Sequence, residues 1–208
     1  MSLPPLRLRK NEDRRLRAGH LWVFSNEVDV SATPLTAFEP GAMAEVQDAR
    51  GAPLGTAYVN PRSLIAARLV SRDRDARLDG ALLRRRIARA LALREMLFDR
   101  PFYRLLYGES DGLPGLVVDR FGDVVVAQIT TAGMERVRDD VLSVLDELLH
   151  PSAILLRNDT GTNATDNATS RYSVGMHATD FATVAAWRAA ANAGAPMFCH
   201  AIGGRGWP

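Results

Sequence analysis

The chain has 208 residues, of which 47% are hydrophobic and 24% charged, and its formal net charge is +2. This composition is typical of a globular protein with a substantial core and argues against a disordered chain. A single cysteine, Cys199, excludes an intramolecular disulfide and a zinc site built from several cysteines. The sequence contains neither an apolar run that could span a membrane nor a signal-peptide core after Met1, so we expect a cytoplasmic protein.

The basic residues are almost all arginine. Lys10 is the only lysine among 26 basic residues. Arginine presents a planar fork that suits phosphate and guanine, so the preference is compatible with a nucleic-acid partner. A GC-rich coding bias produces the same preference, and composition alone does not show whether the arginines cluster. Both interpretations stay open at this point.

The N-terminal segment combines a strand, a basic stretch and an aromatic cluster. Leu6 to Lys10 alternates as a strand with one basic face does. The arginines of residues 11–17 precede Trp22 and Phe24, a combination that suits phosphate contacts and base stacking. The plainer interpretation is that the arginines solvate a short helix. The spacing of Trp22 and Phe24 places both on one face, which we predict to enter the core.

Short strands follow. Residues 42–47 and 54–59 predict two strands joined by a turn at residues 48–51, and residues 63–70 predict a third strand after Asn60 and Pro61. Several short strands at this spacing indicate a small barrel or sandwich.

A helix is predicted after the charged segment 71–77. Asp79 can cap it, and Pro101 follows its end. Its apolar stripe consists of Leu83, Ile87, Ala90, Leu91 and Leu97. The opposite face carries Arg84, Arg85, Arg86, Arg89 and Arg94, which predicts a solvated face, with contact to an RNA backbone as the alternative.

The richest turn and strand pattern lies at residues 106–128, which read LYGESDGLPGLVVDRFGDVVVAQ. Ser, Asp, Gly and Pro form the turns, and the valines form a hairpin. A helix over residues 133–150 and a strand over residues 153–156 follow. Helix, hairpin, helix and strand together predict a layer of helix on a sheet.

Two segments carry a family resemblance. The strings KNEDRRLRAGHLWVFSNEV and GESDGLPGLVVDRFGD resemble, in this order, segments of bacterial methyltransferases that modify a 23S rRNA cytosine at C5. The resemblance runs from about Leu6 to about Asp159. It implies a mixed α+β protein with an N-terminal PUA-like β-barrel that binds RNA and a small α+β connector. In the full-length family it also implies a C-terminal Rossmann-like domain that binds S-adenosylmethionine.

The resemblance also implies roles for individual residues. The candidate RNA-binding residues are Lys10, Arg14, Arg15, Arg17 and His20. The hairpin motif is predicted to be structural and comprises Glu109, Ser110, Asp111, Gly112, Gly115, Asp119 and Arg120. Glu109 and Asp111 are neighbouring acids, yet no partner base is evident, so turn capping is the better interpretation.

The sequence changes character beyond Thr160. Leucine, glutamate, glutamine and lysine no longer occur, and Cys199, His177 and His200 match no zinc or catalytic pattern. The family's Gly-Gln-Lys-Thr-Gly segment needs a lysine, and none follows Lys10. We therefore expect the Rossmann-like methyltransferase domain, its cofactor and its catalytic residues to be absent from this chain.

The sequence thus predicts a PUA-like RNA-binding domain over residues 1–73, a connector over 74–160 and an atypical tail over 161–208, frameshifted or disordered. The predicted function is the RNA-binding portion of a 23S rRNA methyltransferase, with RNA as partner, no metal and no membrane. Whether the chain is itself an enzyme and whether it forms a homodimer stay open. The alternatives are a free-standing RNA-binding module and a non-functional structural fragment.

Overall fold

The computed structural model describes residues 3–157 and 175–177, so the prediction for the tail at 161–208, including Cys199 and His200, lies almost entirely outside the described residues. The strands are β1 Pro5–Arg7, β2 Trp22–Phe24, β3 Ala42–Gln47, β4 Pro53–Val59, β5 Ile65–Ser71, β6 Phe102–Tyr107, β7 Leu116–Phe121, β8 Val124–Ile129, β9 Ala153–Leu156 and β10 Gly175–His177. The helices are α1 Arg14–Arg17, α2 Gly80–Leu97, α3 Ala132–Glu135 and α4 Arg138–Leu149, with short 3-10 helices at Ser25–Glu27, Leu35–Ala37 and Gly108–Asp111. The protein is therefore mixed α+β.

The first sheet has the strand order β1-β3-β4-β5-β2 and curls toward a barrel. Strands β1 and β3 are parallel, and the other neighbours are antiparallel. Leu8 pairs with Val28, and the backbone N–H of Arg9 donates to Glu27 at 2.9 Å. These bonds join the β1 edge to the segment that follows β2, so the two outer strands of the sheet are brought together.

Local signals predicted the central hairpin of this sheet. Strand β3 has the predicted bounds, and β4 begins one residue earlier than predicted. In the turn between them, the Asp48 carboxylate accepts backbone N–H bonds from Arg50 at 2.8 Å and Ala52 at 2.9 Å. Strand β1 is shorter than the predicted Leu6–Lys10 strand, and only Leu6 and Leu8 of that segment are buried.

The prediction that Trp22 and Phe24 enter the core is wrong. Val23, between them, is fully buried and pairs with Ala67 of β5, whereas Trp22 is 39% exposed and Phe24 is half-buried. Successive residues of a strand point to opposite faces, so burying Val23 turns both aromatic side chains away from the barrel interior.

The second sheet has the strand order β10-β9-β8-β7-β6, with β8 and β9 parallel and the other neighbours antiparallel. Helix α2 covers it with Leu82, Leu83, Ile87 and Ala90, and the Asp79 side chain caps the helix by accepting the Leu82 N–H at 2.9 Å. The predicted stripe is wrong at Leu97, which is 66% exposed because the last turn of α2 is left uncovered by the described residues.

The helix predicted over residues 133–150 is broken. It consists of α3 and α4, with Val137 in a non-helical conformation between them. The short α3 lies against the first sheet, because a Cβ added to Gly133 would come within 2.1 Å of the Tyr58 ring. This packing holds α3 against the first sheet, and α4 begins only after Val137.

The two sheets share one core. Tyr58 of β4 and Val70 of β5 belong to the same buried cluster as Leu113, Met134 and Leu145 of the second half. A separate cluster fills the barrel, around Leu6, Leu16, Val23, Val46 and Leu69. The first sheet therefore contributes to both cores.

Candidate nucleic-acid interface

The basic segment, residues 10–20, consists of a loop and a single helical turn, and one leucine anchors it. Leu16 is the only buried residue of α1 and is 1% exposed. The turn is entered through Asn11 at φ 71° and left through Gly19 at φ 108°. Both values lie in the left-handed region, which Asn and Gly tolerate best. Because only Leu16 points inward, the charged side chains around it are displayed at the surface.

Arg15 is held by the protein itself. Its Nη1 contacts Glu27 Oε1 at 2.8 Å, and its Cζ lies 4.8 Å from the centroid of the Phe24 ring. Glu27 is only 5% exposed and also accepts the Phe24 backbone N–H at 2.8 Å. Arg15 therefore neutralises a buried carboxylate, and its role is at least partly structural.

Arg17 is also paired, although it is exposed. Its guanidinium contacts Asp13 at 2.5 Å and Asp48 at 3.2 Å. The hydrogen bond that Arg17 donates to Asp13 is the main reason why the pKa of Arg17 is raised. A phosphate would have to compete with both carboxylates for this side chain.

Lys10, Arg14 and His20 differ from these two arginines. All three are exposed, and none of them belongs to an ion pair among the described residues. Since their charge or donor groups are not engaged by an acid there, they are the members of the predicted RNA-binding set best suited to contact phosphate.

An aromatic path leads from the basic segment to the hairpin motif. The Phe24 ring under Arg15 meets Trp22 edge to face, with 6.4 Å between ring centroids. The indole N–H of Trp22 donates to Glu109 Oε1 at 2.6 Å, and Arg68 Nε lies 3.8 Å from the same oxygen. Sequence reasoning missed this contact, which joins residues 87 positions apart.

The turn that contains Glu109 is fixed by Asp111. Its Oδ2 accepts the Tyr107 backbone N–H at 2.7 Å and an Arg94 N–H at 2.8 Å. Gly112 ends the turn at φ 76°, and Ser110 is exposed. Asp111 thus makes the capping contacts of a structural residue.

The remaining motif residues also make contacts within the protein. A Cβ on Gly115 would come within 2.2 Å of Thr131 Oγ1, so only glycine fits there. Asp119 receives two hydrogen bonds from Arg104, at 2.9 and 3.1 Å. Arg120 donates to the Tyr103 hydroxyl and to the Gly122 carbonyl, both at 3.2 Å.

The interpretation of the α2 arginines as one solvated face is wrong for two of them. Arg86 is half-buried and donates to the carbonyl oxygens of Val70, at 2.6 Å, and Gly112. Burial lowers the pKa of Arg86. Arg94 is bound to Asp111. Arg84, Arg85 and Arg89 are exposed, and Arg84 pairs with Glu147.

Comparison with known proteins relates the N-terminal part of the chain to a known domain family. A PUA-like domain family matches residues 6–72. Ribosomal RNA large subunit methyltransferase I of Klebsiella pneumoniae is 36% identical over 159 residues, which cover 75% of this chain and 39% of that protein. The same enzyme of Cronobacter sakazakii is 37% identical, covering 73% of this chain and 38% of that protein, and that of Aliivibrio fischeri is 32% identical, covering 80% and 42%. The chain spans about two fifths of the length of these relatives.

Solved structures show a similar fold. The SMU.776 protein, provisionally assigned as a methyltransferase and complexed with SAH, aligns with a TM-score of 0.65 over 75% of this chain and 40% of that protein, at 15% identity. A provisional SAM-dependent methyltransferase from Streptococcus mutans aligns with a TM-score of 0.63 over 75% of this chain and 41% of that protein, also at 15% identity. The PUA-like match and the sequence relatives together show that the chain corresponds to an N-terminal portion of the ribosomal RNA large subunit methyltransferase I type.

Proposed function

We propose that this chain binds 23S rRNA for a methyltransferase that modifies a cytosine at C5. In this proposal residues 1–73 form the PUA-like RNA-binding domain, and residues 74–160 form a connector that holds it in a fixed orientation. The observation that carries the proposal is the exposure of Lys10, Arg14 and His20 without an acidic partner among the described residues, within the matched PUA-like domain. Lys10 and Arg14 supply positive charge and His20 supplies hydrogen-bond donors for phosphate.

S-adenosylmethionine is the cofactor that the family implies. The turn considered for it, at the start of the connection from β8 to β9, does not fit this cofactor. The described residues contain two parallel pairs, β1 with β3 and β8 with β9, and only β8 and β9 follow one another along the chain, joined through α3 and α4. The glycine in the first turn of that crossover, Gly133, is packed against the Tyr58 ring. Because protein fills this space, we assign no step of methyl transfer to it, and we propose that the described residues bind RNA without catalysing the reaction.

The location in the cell remains a prediction from the sequence. Within residues 3–157 and 175–177, no helix combines the length and the apolar character needed to cross a membrane. A cytoplasmic protein would have direct access to ribosomal RNA, as the proposal requires.

The experiment is a titration of labelled 23S rRNA fragments with the full chain, followed by fluorescence anisotropy at several salt concentrations. We expect the logarithm of the association constant to fall linearly with the logarithm of the salt concentration, because phosphate contacts release counterions. Tight binding that does not depend on salt would contradict the assignment of Lys10 and Arg14 as phosphate-binding residues. No binding at low salt would refute the proposed function.

A further inference from the structure

Two exposed aromatic side chains lie close to the turn that carries Glu109. Trp22 is 39% exposed and Tyr107 is 57% exposed. Trp22 hydrogen-bonds to Glu109. Tyr107 precedes Glu109 by two residues, so the Cα atoms of Tyr107 and Glu109 lie no more than about 7 Å apart. The two aromatic residues therefore belong to one neighbourhood, although they come from different sheets.

Both rings are held in place by contacts at their edges and faces. The Trp22 ring is fixed by its N–H bond to Glu109 and by the edge-to-face contact with Phe24. The Arg104 guanidinium lies 5.3 Å from the centroid of the Tyr107 ring, and Asp119 holds that guanidinium with two hydrogen bonds. An exposed aromatic ring that is already oriented loses little conformational entropy when a flat ligand stacks on it.

The chemistry around the rings suits unpaired nucleobases. The path from Trp22 through Phe24 leads to Arg15 and to α1, whose exposed Arg14 can reach phosphate. Proteins that bind single-stranded RNA combine such a basic track with aromatic side chains on which successive bases stack. A base-paired duplex keeps its bases stacked on each other, so it would not use the aromatic rings in this way.

We propose that Trp22 and Tyr107 form a stacking platform for unpaired RNA bases, which extends the RNA-binding surface from the first sheet onto the second. Glu109 and Arg104 act as positioning residues that orient the two rings. This inference rests on the proposed function, because it deepens the RNA binding assigned to the basic segment.

The test uses the full chain and an unstructured single-stranded RNA that contains 2-aminopurine, whose fluorescence is quenched when it stacks. We expect Trp22→Ala and Tyr107→Ala each to weaken binding roughly 10-fold, the range found for base stacking on aromatic residues, and to reduce the quenching. Trp22→Phe loses the bond to Glu109 yet keeps an aromatic face, so it should retain affinity within about 3-fold and retain quenching. Phe98→Ala is the matched control, because Phe98 is 48% exposed but lies at the end of α2 and stacks on Tyr103.

The outcomes separate the platform from the proposed function. If the unaltered chain binds no RNA at low salt, the proposed function fails and the platform fails with it. If the chain binds RNA but Trp22→Ala and Tyr107→Ala bind equally well, only the platform is refuted. If Trp22→Phe loses as much affinity as Trp22→Ala, Trp22 acts only by tying the Glu109 turn to the first sheet, which also overturns the platform.

Discussion

The hydroxyl of Tyr58 donates a 3.0 Å hydrogen bond to the carbonyl oxygen of Pro114 and thereby ties the first sheet to the turn before β7. The Thr131 hydroxyl donates to the same Tyr58 oxygen at 3.1 Å, and the Thr131 oxygen caps α3 by accepting the Met134 N–H. Because Tyr58 and Thr131 are buried, removing the Tyr58 hydroxyl would take a hydrogen-bond partner from groups that water does not reach.

Replacing Tyr58 by Phe should therefore destabilise the protein by about 1–3 kcal/mol, since buried polar groups lose a partner. Urea denaturation measures the effect. The exposed Tyr107 provides the control, because Tyr107→Phe should change the free energy of unfolding by less than about 0.5 kcal/mol. Equal effects of the two substitutions would contradict the role of the Tyr58 hydroxyl.

Gly133→Ala should be among the most damaging small substitutions. The added Cβ would lie 2.1 Å from Cγ of Tyr58, in a buried site where the ring has little room to move. We expect a loss of about 3 kcal/mol or more, measured by thermal and urea denaturation. Gly80→Ala is the control, because its Cβ would meet nothing closer than Asp140 at 3.9 Å, and it should be neutral or stabilising by up to about 1 kcal/mol.

Arg86 and Arg85 are neighbours in α2 with different surroundings. Arg86 donates to the carbonyl groups of Val70 and Gly112, whereas Arg85 is exposed. Arg86→Ala should lower the free energy of unfolding by about 2 kcal/mol, because two part-buried acceptors lose a charged donor. Arg85→Ala should have no measurable effect on the urea midpoint. A comparable loss of stability in both variants would show that helix propensity or net charge, and not the two hydrogen bonds of Arg86, causes the destabilisation.

The basic segment should separate into binding and structural residues. The double substitution Lys10→Ala and Arg14→Ala should weaken RNA binding, lower the salt slope by about 1.4 for a single-stranded RNA and leave the melting temperature unchanged. Arg15→Ala should instead lower stability, because it leaves the buried Glu27 carboxylate without its cation. Anisotropy titrations and thermal denaturation of the same samples measure the two effects. An unaltered salt slope in the double variant would refute the placement of the phosphate contacts.

The Asp48 carboxyl should titrate below its ordinary value of 3.8. Its pKa is lowered first by the backbone N–H bond from Ala52, then by the bond from Arg50, which both favour the ionised form. The stabilisation is present above the unfolded pKa and is lost as the pH falls through the lower folded pKa. NMR titration of the carboxyl carbon measures this value, and a pKa at or above 3.8 would contradict the turn geometry.

Local signals were sufficient for much of the fold. The turn at Asp48 and the helix cap at Asp79 involve partners within four residues, so the sequence contains the whole interaction. The orientation of β2 was not predictable in the same way. The strand has only three residues, and a pattern this short does not decide which face is buried until its pairing with β5 is known.

The candidate site was predictable in composition but not in detail. Exposure of Lys10 and Arg14 follows from their polarity, whereas the engagement of Arg15 depends on Glu27, which is 12 residues away and buried by other parts of the barrel. Arg94 and Asp111 meet only because α2 packs beside the turn after β6. The sequence gives no local sign of the contact between Trp22 and Glu109, since neither residue type requires the other.

The core shared by the two sheets limits how the protein can be dissected. A fragment that ends at residue 73 would retain Tyr58 and Val70 but lose the residues that bury them, such as Met134 and Leu145. It would also lose Arg86, which satisfies the Val70 carbonyl. Such a fragment would expose to water an apolar surface that is buried in the intact chain, and it would tend to self-associate. The smallest piece suitable for spectroscopy of the first sheet therefore includes the second sheet.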